Sequence, residues 1–137
     1  MNVAPYITAS EYRCSHCGTM PVEYDSGAHT TLFSAFKDIR EAWGKAITIN
    51  SGYRCLTHNI AIMGAPLSAH LWGLALDLRA KDAGETDDLF ALIDEIHGEL
   101  RIGTSKKPGA YFLHIDNAYD IRPRPLAVFV ESARWKY

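Results

Sequence analysis

Apolar residues recur along Thr31–Trp43 at Leu32, Ala35, Phe36, Ile39 and Trp43. That spacing of threes and fours gathers them on one face of an α-helix, and Gly44 is placed to end it. Ala46–Asn50 is rich in β-branched residues and predicts a short strand, broken by Ser51-Gly52. A short helix is expected near Thr57–Met63, closed by Gly64, and a second strand over Leu74–Leu78. Thr86–Leu100 predicts a third helix with Leu89, Leu92, Ile93 and Ile96 on its buried side. Tyr111–Asp116 reads as a strand, and Leu126–Val130 as a further one.

Helices and strands mix here without a regular β-α-β alternation. The pattern predicts an α+β domain built on an antiparallel sheet flanked by helices. The 137 residues are the size of one domain, and residues 1–137 contain no repeat, low-complexity stretch or interdomain linker. Arg122-Pro123-Arg124-Pro125 reads as an extended connector, because each proline pushes the residue before it out of helical geometry.

Composition narrows the class of function. A hydrophobic content of 47% with 22% charged residues is that of an ordinary globular domain, and the net charge of -2 argues against nucleic-acid binding through bulk charge. No apolar run is long enough to span a bilayer, so no membrane partner is expected. Met1-Asn2-Val3-Ala4-Pro5-Tyr6 lacks a basic region followed by an apolar stretch. The expectation is a monomer made in the cytoplasm, which needs export or an opened membrane to reach anything outside.

Two segments carry candidate chemistry: Ser68-Ala69-His70-Leu71-Trp72-Gly73-Leu74-Ala75-Leu76-Asp77 and Phe112-Leu113-His114-Ile115-Asp116. Asp77 falls in what reads as a buried strand, where an unpaired carboxylate is costly, so something cationic should face it. Zinc held by His70, Asp77 and His114 with a water in the open position would satisfy it. A core hydrogen bond or a surface pair is the alternative. His114 and Asp116 are two apart on a strand and share a face, so Asp116 is a candidate either to orient a ligand or to act on the metal's water.

The cysteines number three, a poor disulfide framework. Cys14-Ser15-His16-Cys17-Gly18 has zinc-knuckle spacing, and Cys55-Leu56-Thr57-His58 offers the other half of a structural zinc site. A disulfide from Cys55 to Cys14 or Cys17, or three reduced thiols, are the other readings.

The run His70-x-x-Gly73-x-Ala75-x-Asp77 with the later His114-x-Asp116 resembles the hedgehog-type zinc peptidases. That family includes D-Ala-D-Ala carboxypeptidases, vancomycin-resistance dipeptidases and phage endolysin peptidases. Ile49-Asn50-Ser51-Gly52-Tyr53-Arg54-Cys55-Leu56-Thr57-His58-Asn59 resembles it too, most of all its small phage-type members. The resemblance implies a hydrolase acting on peptidoglycan peptides, with zinc on His70, Asp77 and His114. It also implies that Arg54 binds a substrate carbonyl or carboxylate, with Ser68 as a polar contact beside it. Its expected bond is D-Ala-D-Ala or L-Ala-D-Glu, and its setting cell-wall degradation after phage-mediated release.

Many members carry an acid three residues before the last zinc histidine as general base. Here that position is Tyr111, and a tyrosine of ordinary pKa near 10 is a poor base at neutral pH. Asp116 is the substitute named by the pattern, with His97, Glu99 and Asp120 as further acid–base residues that folding could bring close. The competing function is a catalytically inactive, zinc-containing wall-binding module, and a zinc-knuckle nucleic-acid protein is a third, disfavoured by the acidic balance.

Overall fold

The computed structural model describes residues 1–22, 24, 26–121 and 126–137. The connector Arg122–Pro125 lies outside them. In chain order the elements are β1 (Asn2–Ala4), β2 (Ile7–Thr8), α1 (Ala9–Tyr12), α2 (Gly27–Trp43), β3 (Ile49–Ser51), α3 (Leu56–Ala61), β4 (Ala75–Arg79), α4 (Ala83–Ile96), β5 (Arg101–Lys107), β6 (Ala110–Asp116) and β7 (Arg134–Lys136). β1 and β2 form a small hairpin, and the remaining strands make one sheet in the order β3-β4-β6-β5-β7. Its pairings are antiparallel except β5 with β7, which is parallel. The domain is α+β, as the mixed pattern predicts.

Strand alternation divides the sheet into a packed face and a functional face. Leu76 and Leu78 of β4, Ile102 of β5, and Leu113 and Ile115 of β6 enter one core cluster with Leu32, Phe36 and Ile39 of α2 and Leu89 and Ile93 of α4. The residues between them, Asp77, Arg101, His114 and Asp116, stand on the opposite face. In register, Asp77 lies across from His114. A one-residue slip would bury these charges under α2 and α4, so the leucine alternation also specifies where the chemistry goes.

Local signals explain the elements. Thr8 and Glu11 form a capping box that starts α1. Gly44 ends α2 in a left-handed conformation (φ 78°), and Asp82 caps α4 through the Glu85 N–H. Several expectations need correction. Leu126–Val130 forms no strand: Leu126, Val128 and Val130 are exposed and only Phe129 is buried. The edge of β5 pairs instead with Arg134–Lys136. Helix α4 stops at Ile96, which is exposed, rather than running to Leu100. β5 carries little apolar pattern of its own and is held by its ladders on both sides.

Beyond the end of α4, the His97 imidazole sits between Glu99 (Nδ1 to Oε1, 2.6 Å) and Asp38 (Nε2 to Oδ2, 2.8 Å). Burial lowers its pKa, but the two carboxylates outweigh burial and raise it above the ordinary value. A raised folded-state pKa stabilises the protein fully below the unfolded value near 6.5 and loses that contribution as pH rises through the folded value. His97→Gln should therefore lower the melting temperature at about pH 6, and the penalty should shrink towards about pH 9. Thermal melts across that range test this, and a pH-independent penalty would refute it.

Candidate metal centre

His70 lies in a 3-10 turn, Ala69–Trp72, that leads into β4. Ser68 caps this turn, its hydroxyl accepting from the His70 N–H at 3.2 Å, and Gly73 closes it in a left-handed conformation (φ 71°). A side chain at Gly73 would strike the Tyr12 hydroxyl, which donates to the Gly73 carbonyl at 2.8 Å. The turn is thus clamped to α1, and it sets the buried His70 ring over the sheet's functional face.

There the ligand atoms of His70, Asp77 and His114 lie within 4.8 Å of one another. Asp77 Oδ1 is 3.2 Å from His70 Nε2 and 3.1 Å from His114 Nδ1. The far nitrogen of each ring faces an oxygen acceptor. His70 Nδ1 is 2.6 Å from the Gly52 carbonyl oxygen, and His114 Nε2 is 2.6 Å from Asp116 Oδ2. A carbonyl can only accept, so the His70 proton belongs on Nδ1 and its Nε2 lone pair points at Asp77. The same reasoning with the Asp116 carboxylate puts the His114 proton on Nε2 and its Nδ1 lone pair at Asp77.

Three electron-pair donors then converge with no proton between them, an arrangement that suits a dication. Without one, the carboxylate must draw a proton to the rings. Burial pushes the Asp77 carboxyl up, yet the two imidazoles outweigh it and hold it far below the usual carboxylate range. For His114, burial lowers the pKa, but Asp116 and Asp77 outweigh this and raise it to about 9. Two histidines and one carboxylate, each histidine braced by an outer acceptor, are a donor set that fits zinc with a position left open.

Arg54 stands beside this centre. Its backbone N–H donates to the His70 carbonyl at 3.0 Å. Its Nη2 is 4.0 Å from Asp77 Oδ2, and Nη1 donates to Asn59 Oδ1 at 2.8 Å. Its Nε is buried without a partner among the described residues. Gly64 leaves room for this contact, because a Cβ there would meet both the guanidinium and the Asn59 amide. Burial lowers the Arg54 pKa, though a guanidinium remains charged.

Asp116 is wholly buried. Its Oδ1 accepts from Arg101 Nε at 2.9 Å and from the Ala118 N–H at 3.1 Å, while Oδ2 faces His114 Nε2. It thus lies on the side of His114 away from Asp77. Of the two roles expected for Asp116, acting on the metal's water or orienting a ligand, this burial and these contacts favour orienting His114. Arg101 is in turn stacked over Phe129 and Trp135 at 5.1 and 5.0 Å, and the Trp135 ring is 5.3 Å from that of His114.

The other candidates fall elsewhere. Ser68 serves the turn cap described above. Tyr111 and His114 stand on opposite faces of β6, being an odd number of residues apart. His97 is engaged with Glu99 and with Asp38. Asp120 lines a cavity of about 640 Å³ bounded by Pro21, Tyr53, Leu71, Trp72 and Ile121.

The sulfurs of Cys14, Cys17 and Cys55 also converge within 4.8 Å. His58 is not grouped with them. Its backbone N–H donates to Cys55 Sγ at 3.4 Å, and its ring stacks on that of His16 at 5.5 Å.

Sequence reasoning missed the Gly52 carbonyl, Asn59, Arg101 and Trp135. A backbone acceptor carries no residue signature, and Arg101 and Trp135 become neighbours of His114 only through the β5 and β7 ladders. The Pro108-Gly109 turn between β5 and β6 was the signal that could have revealed the first of those ladders.

No curated protein matches the chain. Over residues 5–116, which hold the described turn, the Arg54 loop and all three converging donors, the sequence matches the family described as Peptidase M15. The chain therefore belongs to the Peptidase M15 family of zinc-dependent metallopeptidases.

Proposed function

We propose that this protein hydrolyses peptide bonds in peptidoglycan, at D-Ala-D-Ala or L-Ala-D-Glu linkages, with one zinc held by His70, Asp77 and His114. The observation that carries the reading is the convergence of His70 Nε2 and His114 Nδ1 on one oxygen of Asp77, with both remote ring nitrogens facing acceptors. When bound, zinc supplies a Lewis acid for the scissile carbonyl and a hydroxide nucleophile near neutral pH.

The chain's own residues do the rest. Arg54 presents a fixed positive charge beside the centre, placed to neutralise the oxyanion that develops on the carbonyl. Asp116 holds the His114 tautomer and is itself held by Arg101. The cavity beside Tyr53 and Trp72 adjoins both the Arg54 loop and the His70 turn, and offers room for a peptide flanking the cut bond.

Asp116→Asn tests the assigned role. Zinc affinity should fall by about 10–100-fold, as for loss of an outer partner of a metal-bound histidine, and the melting temperature should drop because Arg101 loses its anionic partner. Normal zinc binding with abolished turnover would return Asp116 to the role of proton acceptor.

A second reading keeps the zinc but not the catalysis, making the domain a wall-binding module. It is favoured by the burial of Asp116 and by the absence, among the described residues, of a further carboxylate in the His70–Asp77–His114 group. Digestion of purified peptidoglycan separates the two. Release of new amino groups that a chelator abolishes and zinc restores supports the peptidase. Sedimentation with the wall without any release supports the module.

A further inference from the structure

The second convergence of metal-ligating groups lies outside the site just described. Cys14 follows α1, Cys17 ends the turn after it, and Cys55 precedes α3, forty-one positions along the chain from Cys14. All three are free thiols, and Cys14 is fully buried. We propose that they hold a structural zinc ion, with an imidazole of the His16–His58 pair completing its coordination.

The turn has the form such a site needs. The Gly18 N–H donates to the Cys14 carbonyl at 2.8 Å, and Gly18 adopts φ 71°, a conformation open to glycine at little cost. This folds Cys17 back beside Cys14. Each sulfur also meets a polar partner. The Cys55 N–H donates to Cys14 Sγ at 3.4 Å, the His58 N–H to Cys55 Sγ at 3.4 Å, and Cys17 Sγ lies 2.8 Å from the Thr19 hydroxyl.

Tetrahedral zinc with Zn–S near 2.3 Å sets its sulfurs roughly 3.8 Å apart. Sulfurs already within 4.8 Å of one another reach that spacing through small side-chain rotations. A disulfide would use two of the three and leave the third beside it without a role. Zinc uses all three, and its binding releases the three thiol protons to solvent. The fourth position falls to His16, between Cys14 and Cys17 in the chain, or to His58, whose N–H donates to Cys55 Sγ; their rings stack in parallel.

The ion would tie the N-terminal segment to the loop that serves the catalytic centre. That loop carries Gly52, the acceptor for His70, and Arg54, the immediate neighbour of Cys55. The Tyr53 N–H already donates to the Tyr12 carbonyl at 2.6 Å, and zinc would lock the same junction on its other side.

Metal analysis of the whole chain, purified under reducing conditions, tests the assignment. The unmodified protein should hold about two zinc ions per chain, and Cys17→Ser about one. Cys17 is exposed whereas Cys14 is fully buried, so Cys17→Ser is the variant expected to stay folded by circular dichroism. In cobalt-substituted protein, a thiolate-to-metal charge-transfer band should be present in the unmodified chain and in Asp77→Ala, and absent in Cys17→Ser. Of His16→Ala and His58→Ala, the one that removes the fourth ligand should weaken retention of this ion. The proposal is overturned by a chain mass lower by two hydrogens, which means a disulfide. It is equally overturned by three thiols that react with a thiol reagent in the native, metal-loaded protein. Loss of the other zinc in Asp77→Ala is read separately, so failure of either site is distinguishable.

Discussion

Asp77→Ala is expected to yield a folded protein that has lost one zinc per chain and cuts no wall peptide. Asp77 supplies the only anionic donor of its three-residue group among the described residues, and both imidazoles point at a single one of its oxygens. Removing it leaves two rings whose outer partners, Gly52 and Asp116, are untouched. The Arg54 guanidinium loses the carboxylate facing Nη2 but keeps its Asn59 contact, and the hydrophobic core lies on the other face of the sheet, so the fold should survive. Activity should fall by more than about three orders of magnitude, since water without the metal has a pKa of 15.7 rather than one near 7. Metal analysis and peptidoglycan digestion on the same sample check both halves. Full zinc retention would dismantle the assignment of this centre.

Arg54→Lys is expected to lower turnover by about two orders of magnitude while leaving zinc content unchanged, the size of effect seen when one oxyanion donor is lost. Lysine keeps the charge but not the planar fork. In the structure the two arms of that fork divide their work: Nη1 is anchored on Asn59 and Nη2 faces Asp77. An ammonium can make one of these contacts or reach substrate, but it cannot do both in the same geometry. Steady-state kinetics alongside a thermal melt separates the roles. Unimpaired turnover, or a collapse of the fold itself, would make Arg54 a brace for the loop and nothing more.

The amphipathic elements were legible because burial and periodicity coincide in them. Leu32, Ala35, Phe36 and Ile39 are buried along α2 as their spacing requires. The Leu76-Asp77-Leu78 alternation likewise placed a carboxylate opposite the core. Elements held by partners rather than by their own pattern were not legible. β5 reads Arg-Ile-Gly-Thr-Ser-Lys-Lys, a polar run with one core residue. The apolar alternation of Leu126, Val128 and Val130 resembled a strand but found no ladder to join. Period-2 patterning reports only that a segment could be half-buried; pairing depends on which edge is open.

The sequence by itself determined the donor types and their faces. His70, Asp77 and His114 are recognisable from motif spacing, and strand alternation sends Asp77, His114 and Asp116 to one side. Which atom of each donor faces which neighbour was decided only by the tertiary structure, because ring tautomers follow from acceptors distant in the chain. The Gly52 carbonyl frees Nε2 of His70, and Asp116 frees Nδ1 of His114. The surroundings of Asp116 were decided at the same level. From sequence it was a carboxylate two residues from a ligand, free to take a proton or to orient the ring. Arg101, delivered by a strand with no pattern of its own, occupies one of its oxygens and buries it behind His114, where water cannot compete for the other.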